Sequence, residues 1–268
     1  MTHKVDHAAR THSDLPPSSS DKWMNCWGWM RTVAQHVERY GYPESGPAAA
    51  EGTKAHEKFE RHLLGLPALG TPPGLNEKDY RVQVAENCRP LHPEDDEYDD
   101  LMQCIEWIED QPGDLYPETR MDFGEAFGFV GLTGTVDVTL VEEDRITIAD
   151  LKYGRVVVEV QDEAGRLNPQ LMSYLVGAIN RFGPRSSYRL AILQPRAWHK
   201  DGPIRVVEVS EAQLAVFMFE LEESIEANFR GDECNVGPWC RNYCPALASC
   251  RAVVLEGRRR MAETPWDE

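Results

Sequence analysis

Three charged residues in two short segments have the types and spacing to hold a divalent cation and activate water. Asp137 ends Gly134-Thr-Val-Asp137, and Asp150 and Lys152 follow in Asp150-Leu-Lys152. Alternation along a strand places Asp150 and Lys152 on one face, and a hairpin would bring the two carboxylates together. Adjacent carboxylates repel each other unless a cation lies between them. A nearby lysine can then orient or deprotonate water for attack on a phosphodiester.

The context of the Asp-x-Lys tripeptide decides how it is interpreted, because alone it is more often a solvated strand end. Ile146 and Ile148 precede it at alternating positions, as in a strand that is buried on one face. The charged pair is therefore expected at the rim of a buried element.

Three other segments carry side chains that could join this site. His56 lies on a strongly helical segment upstream, and neutral imidazole is a common metal ligand, although a single helical histidine is usually ordinary. Gln170 and Tyr174 share a helical face after the Asp-x-Lys strand, at a spacing that any amphipathic helix can produce. Glu118 could be a second acid near the site.

Changes in hydrophobic period predict the elements that position these residues. The pattern predicts an α/β fold, in which helices pack on both faces of a mixed central sheet. Ser18–Asp21 offers caps for a first helix, and 76–108 is mostly helical with breaks at its prolines. The other predicted helices are 48–64, 168–179 and 211–229, and the predicted strands are 119–123, 131–141, 145–152, 188–194 and 204–209, with a β-branched run at 156–160.

The chain divides into three parts by this pattern. Residues 1–17 are polar and are expected to be a disordered arm, 18–251 a single domain, and 252–268 a basic C-terminal helix or tail. No apolar run approaches the roughly 18 residues of a membrane span, and the start of the chain has no secretory h-region. We therefore expect a cytoplasmic protein without a membrane segment.

Net charge sets a mild constraint on the partner. The chain of 268 residues has a formal net charge of -17, which counts against a general nucleic-acid binder because such proteins need clustered Lys and Arg. Carboxylates that recruit a metal lower the net charge, and a local groove can still be basic.

The order of these motifs resembles the RecB-like branch of the PD-(D/E)xK nucleases. The resemblance covers about 18–251, and it is carried by Gly52-Thr-Lys-Ala-His-Glu57, Asp150-Leu-Lys-Tyr-Gly154 and Asn168-Pro-Gln-Leu-Met-Ser-Tyr174, with Ser18–Cys26 and Gln194-Pro-Arg196 as further matches. A group found in phages and prophages is especially similar. The resemblance implies a restriction-endonuclease-like core and an Mg²⁺- or Mn²⁺-dependent DNA nuclease. An exonuclease acting in recombination, repair or phage replication is expected, in a bacterial or phage-infected cell and with possible replication or recombination partners.

The same resemblance implies roles for individual residues. His56, Asp137 and Asp150 would be metal ligands, together with the Leu151 carbonyl, and Lys152 would be the catalytic lysine. Gln170 and Tyr174 would steady that lysine and the DNA backbone. Arg196 would contact phosphate, with weaker support.

The cysteines predict a second metal centre. Cys240, Cys244 and Cys250 crowd near the C-terminus, and thiolates so spaced can enclose one soft metal site. The iron-sulfur members of this branch, which include AddB-type and CRISPR adaptation nucleases, take a fourth ligand from before the core, where Cys26 lies. This implies a [4Fe-4S] cluster that joins the two ends of the domain. Cys234 is an alternative fourth ligand, which would give a local zinc site.

Two other functional classes compete with a nuclease. A nucleic-acid-binding or assembly module with a structural metal cluster could keep the fold and cut nothing, but it gives no reason for the chain to hold the His, Asp, Lys, Gln and Tyr set together. An iron-sulfur electron carrier explains the cysteines and leaves the Asp-x-Lys set unexplained.

Overall fold

A five-stranded mixed sheet forms the centre of the protein. The structure is a computed structural model that describes residues 13–42, 44, 46–241 and 244–263. The strands are β1 (Asp114–Asp122), β2 (Thr133–Val141), β3 (Arg145–Leu151), β4 (Ser187–Leu193) and β5 (Ile204–Val209). They lie in chain order, and only β3 and β4 run parallel. A short turn joins β2 to β3, and ten-residue loops join β1 to β2 and β4 to β5. The parallel pair needs a helical crossover.

Eight α-helices surround this sheet in the described part of the chain. They are α1 (Ser20–Trp23), α2 (Trp29–Tyr40), α3 (Pro47–Leu63), α4 (Glu77–Asn87), α5 (Tyr98–Glu109), α6 (Pro169–Phe182), α7 (Glu211–Arg230) and α8 (Arg251–Glu263). The crossover helix α6 begins where Asn168 accepts hydrogen bonds from the first backbone N–H groups. Helix α7 begins with a capping box between Ser210 and Gln213. None of the helices described is both long and apolar enough to cross a membrane.

The sheet is covered on both faces, which confirms the predicted α/β architecture. One core unites Trp23, Ile148 and Met172 with apolar side chains of α2 and α7. The other core unites Phe59 of α3 and Ile105 of α5 with the opposite face of the strands. Alternate residues of β3 therefore point into different cores. Its last residues reach the rim between the two layers.

Two local features differ from the sequence expectation. Leu15 is fully buried and Pro17 begins a 3₁₀ turn, so the folded chain includes residues assigned to the arm, whose first 12 residues lie outside the described part. The β-branched run 156–160 forms no strand. The buried Gln194 amide instead bonds Gly154 O, Val156 O and Val158 N, which occupies these backbone groups with a side chain. Residues 264–268 of the predicted tail also lie outside the described part.

Candidate metal site and catalytic cluster

Asp137 lies where β2 and β3 separate. Regular pairing between these strands runs from Val138↔Ala149 to Val141↔Ile146. Beyond it, the Asp137 carboxylate accepts the Leu151 N–H through Oδ2 at 2.7 Å, in place of a backbone carbonyl. The separation makes room for two buried carboxylates, because Asp137 is 8% exposed and Asp150 on the neighbouring strand is 3% exposed.

Lys152 is held between Asp150 and the first turn of α6. Its Nζ lies 2.8 Å from Asp150 Oδ2 in an ion pair and donates to Gln170 Oε1 at 2.8 Å. The Gln170 amide nitrogen donates to Asp150 Oδ1 at 3.0 Å and to the Tyr174 hydroxyl at 3.2 Å. The side-chain amide thus bonds both members of the Asp-x-Lys pair and fixes where the ammonium points.

His56 of α3 and Glu118 of β1 complete the acidic side of the site. His56 Nδ1 lies 3.2 Å from Asp137 Oδ1, and one ligand atom from each of His56, Glu118 and Asp137 lies within 4.8 Å of the other two. Glu118 has φ 43°, a left-handed conformation that costs energy for a residue with a Cβ. It lies between the pairs Pro117↔Val138 and Thr119↔Val136, opposite Asp137.

The negative potential of the site shifts the pKa values of its members. Burial lowers the pKa of His56, but the charge and hydrogen bond of Asp137, with Asp150 and Glu118, outweigh it and raise this pKa to about 9. Burial raises the pKa of Asp150, against the opposing effect of Lys152. The pKa of Asp137 is lowered, because the imidazolium of His56 and the Leu151 N–H offset its burial. The site therefore favours a bound positive charge.

An open cleft of about 750 Å³ gives access to this cluster. One wall consists of the segment 13–18 and the first turns of α3, and the facing wall is the loop that follows β3. The absence of a side chain at Gly134 lets the segment 13–18 pack closely against β2 and α6. A Cβ there would come within 2.6 Å of Pro17 Cγ and 2.8 Å of Tyr174 Cε1. The glycine of the Gly-x-x-Asp motif is thus explained by packing.

The structure places the sequence-predicted site residues in two groups. His56, Asp137, Asp150, Leu151, Lys152, Gln170 and Tyr174 all line the cleft. Arg196 lines a smaller neighbouring depression. Its guanidinium pairs with Glu51 at 2.8 Å and lies 4.5 Å from the centre of the Tyr153 ring, so it joins α3 to the end of β3. The wall 13–18 was not among the residues predicted to line the site, and Leu15-Pro16-Pro17 is the apolar segment that marks it in the sequence.

A second pocket collects cysteines from both ends of the described chain. It is lined by Trp29, by neighbouring apolar residues and by the sulfur-bearing residues Cys26, Cys234, Cys240, Cys244 and Cys250. All are free thiols. A hydrogen bond from Cys26 lowers the pKa of Cys234 to about 6, with help from Thr32 and Cys250 and against the effect of burial. Thr32 Oγ1 lies 3.1 Å from Cys234 Sγ.

Comparison with known proteins places the chain in a family. Similar solved structures include a candidate exonuclease from Eubacterium rectale, with 11% identity, a TM-score of 0.43, and coverage of 91% of this chain and 92% of that chain. Another is the protein SSO0001, with 13% identity, a TM-score of 0.31, and coverage of 83% of this chain and 95% of that chain. A family model described as protein of unknown function, DUF2800, matches residues 12–263. Since this match spans nearly the whole chain, the protein belongs to the DUF2800 family.

Proposed function

We propose that this protein is a metal-dependent DNA nuclease, and specifically an exonuclease. The observation that carries the proposal is the bonding of Lys152, which lies 2.8 Å from both Asp150 and Gln170 beside the Asp137–His56 pair. A merely solvated strand end would not require a buried carboxylate, an oriented ammonium and an amide that bonds both. The motif order that resembles RecB-like nucleases supports the same chemistry.

The donor atoms of the cleft fit a hard divalent cation. Carboxylate oxygens with one imidazole suit Mg²⁺ or Mn²⁺, and His56, Glu118 and Asp137 already offer ligand atoms within 4.8 Å of one another. The buried Asp150 Oδ2 lies 2.8 Å from the Lys152 ammonium, so this oxygen already has a cationic neighbour. We propose that Asp150 shares the metal with Asp137. When bound, such a metal lowers the pKa of water and stabilises charge on a phosphate.

The residues of the site then have distinct roles. Lys152 orients the attacking water and balances negative charge that develops on the scissile phosphate. Gln170 keeps the lysine in place, and Tyr174 supports Gln170 through its hydroxyl. Asp137 and Asp150 hold the cation, with His56 on the α3 side and the Leu151 carbonyl as the remaining proposed ligand.

The cysteine pocket offers soft thiolate ligands, and we propose that they hold a [4Fe-4S] cluster, with a zinc ion as the alternative. In such a cluster each sulfur binds a different iron, so four cysteines that line one pocket can serve as its ligands. We propose Cys26, Cys240, Cys244 and Cys250 as ligands, with Cys234 as the alternative that the geometry also permits.

The decisive experiment is a nuclease assay on protein purified without oxygen. Single- and double-stranded DNA labelled at either end is incubated with Mg²⁺ or Mn²⁺, beside Lys152→Ala as the inactive variant. The proposal predicts metal-dependent degradation to short products by the wild type only. If folded wild-type protein cuts neither DNA with either metal, the nuclease proposal is wrong.

A further inference from the structure

Two arginines that line the cleft have no carboxylate partner in the described part of the chain. Arg155, in the loop after β3, is exposed and makes no hydrogen bond or ion pair in the described part of the chain. Arg120 of β1 is exposed and donates only to the neutral hydroxyl of Thr133, at 2.7 and 3.0 Å. Both guanidinium groups therefore keep an uncompensated positive charge inside the cleft.

These arginines lie on opposite sides of the catalytic carboxylates. In sheet order, Arg120 stands on β1, Asp137 on β2 and Asp150 on β3. The loop that carries Arg155 is bonded through Gly154 O and Val156 O to Gln194, just beyond β4. Arg155 therefore lies on the side of the carboxylates away from β1.

A neighbouring arginine shows by contrast what a structural role looks like. Arg196 has a side chain only 13% exposed and pairs with Glu51, so its charge is balanced within the protein. Arg166 lies on the same loop as Arg155 but pairs with Asp162 at 2.8 Å. Arg120 and Arg155 have no comparable structural explanation.

The depth of the cleft limits the form of DNA that can reach the carboxylates. Asp137 and Asp150 are at most 8% exposed, between the wall 13–18 and the loop after β3. A base-paired duplex carries its phosphates on a broad cylinder, so buried carboxylates are harder for it to reach. A separated strand can, because its backbone bends freely and tracks a positively charged groove.

We propose that Arg120 and Arg155 bind the phosphates on either side of the scissile bond, and that a single DNA strand passes between them across the catalytic carboxylates. This inference rests on the proposed nuclease function and adds the substrate form and its binding residues. Arginine suits this role because its planar fork contacts two phosphate oxygens at once.

The test measures binding separately from cutting. Fluorescence anisotropy with a labelled oligothymidylate is recorded in the Lys152→Ala background, with and without Arg120→Gln or Arg155→Gln. Each arginine change is expected to weaken binding about tenfold and to reduce the slope of log K against log salt by about 0.7, the value for one phosphate contact on a single strand. A blunt hairpin duplex is expected to bind more weakly than the oligothymidylate.

Arg166→Gln is the matched control, since it removes an exposed and paired arginine from the same loop. Thermal unfolding of all variants checks that they are folded. If Arg120→Gln and Arg155→Gln bind like Arg166→Gln, or if the duplex binds as tightly as the single strand, the inference is wrong even where the wild type cuts DNA. If the wild type neither binds nor cuts DNA, the proposed function itself fails.

Discussion

At the scale of single residues, Asp137 has two tasks that depend on its two oxygens. Oδ2 accepts the Leu151 N–H and so closes the gap where β2 leaves β3. Oδ1 faces His56 and, in the proposed site, the metal. The same carboxylate therefore fixes the strand end that carries Asp150 and contributes charge to the cation site.

Asp137→Asn is expected to separate these two tasks. An amide oxygen can still accept the Leu151 N–H, but the lost charge should weaken Mn²⁺ binding by roughly 10–100-fold. Calorimetric titration with Mn²⁺ measures this directly. Asp144→Asn, on the exposed turn between the same strands, should leave the affinity unchanged. Equal affinities for both variants would remove Asp137 from the ligand set.

In the proposed mechanism, Gln170 acts through Lys152, so it is a positioning residue. Gln170→Leu removes one bond to the lysine and one to Asp150, and we expect kcat to fall about 10–100-fold while KM changes little, because the loss affects the reacting geometry. Tyr174→Phe removes only the hydroxyl that Gln170 contacts and should lower kcat by a smaller factor. A larger fall in kcat for Tyr174→Phe than for Gln170→Leu would contradict this order.

At the scale of elements, the N-terminal segment is held to the core by α7. Asn228 is fully buried. It donates to Trp23 O and Ser224 O at 2.9 Å and accepts the Met30 N–H at 3.1 Å. Trp23 in turn donates to the backbone oxygen of Pro16, which belongs to the wall 13–18 of the candidate cleft. A continuous set of contacts thus runs from α7 to this wall.

Asn228→Leu should destabilise the protein by about 3 kcal/mol, because buried backbone groups lose their partners. Urea unfolding monitored by circular dichroism gives the free energy of unfolding. Asn87→Leu in α4, where the amide bonds only Gln83 O on an exposed helix, should change it by less than about 0.5 kcal/mol. Similar losses in both variants would mean that Asn228 does not anchor this segment.

Gly134→Ala tests the packing of the wall 13–18 against Tyr174. The new Cβ would meet the rigid Pro17 ring and the Tyr174 ring, and overpacking of this kind costs about 1–3 kcal/mol. We expect lower stability and lower nuclease activity together. Gly154→Ala is the control, because its Cβ would meet nothing within 4 Å. If Gly134→Ala retains wild-type stability, the close approach is not required.

At the scale of the whole molecule, the cysteine pocket joins segments far apart in sequence. Cys26 follows α1, whereas Cys234 to Cys250 lie between α7 and α8. In the proposed holoprotein, a cluster would connect these segments and stabilise the folded chain, because the cluster binds only where folding brings its ligands together. Its contribution would be structural, and the carboxylates of the candidate metal site lie in a separate cleft.

Cys26→Ser should abolish cluster binding, whereas Cys88→Ser, outside the pocket, should not. The measurements are iron content, expected at about four per wild-type chain, visible absorbance and Tm of protein prepared without oxygen. Loss of iron with a lower Tm in Cys26→Ser alone supports the assignment. If the wild type contains zinc and no iron, the cluster assignment is wrong and the pocket is a zinc site.

The sequence by itself determined the features that depend on local pattern. Strand-like alternation and helical periodicity of apolar residues predicted most of the strands and helices, since these preferences act over a few residues. The spacing of Asp150 and Lys152 placed both on one face of a strand in the same way. The α/β fold with a mixed sheet followed from the order of elements, and the structure confirms it.

Only the tertiary structure decided which distant groups meet. Glu118 opposes Asp137 because β1 takes a left-handed residue at that point, and the burial of Leu15 and Pro17 turns part of the expected arm into a cleft wall. Arg196 is paired by Glu51, whereas Arg120 and Arg155 are not, although all three look alike in the sequence. Five cysteines share one pocket where four were expected. The physical reason is that packing between elements and charge pairing depend on three-dimensional neighbours, which no local pattern of residues records.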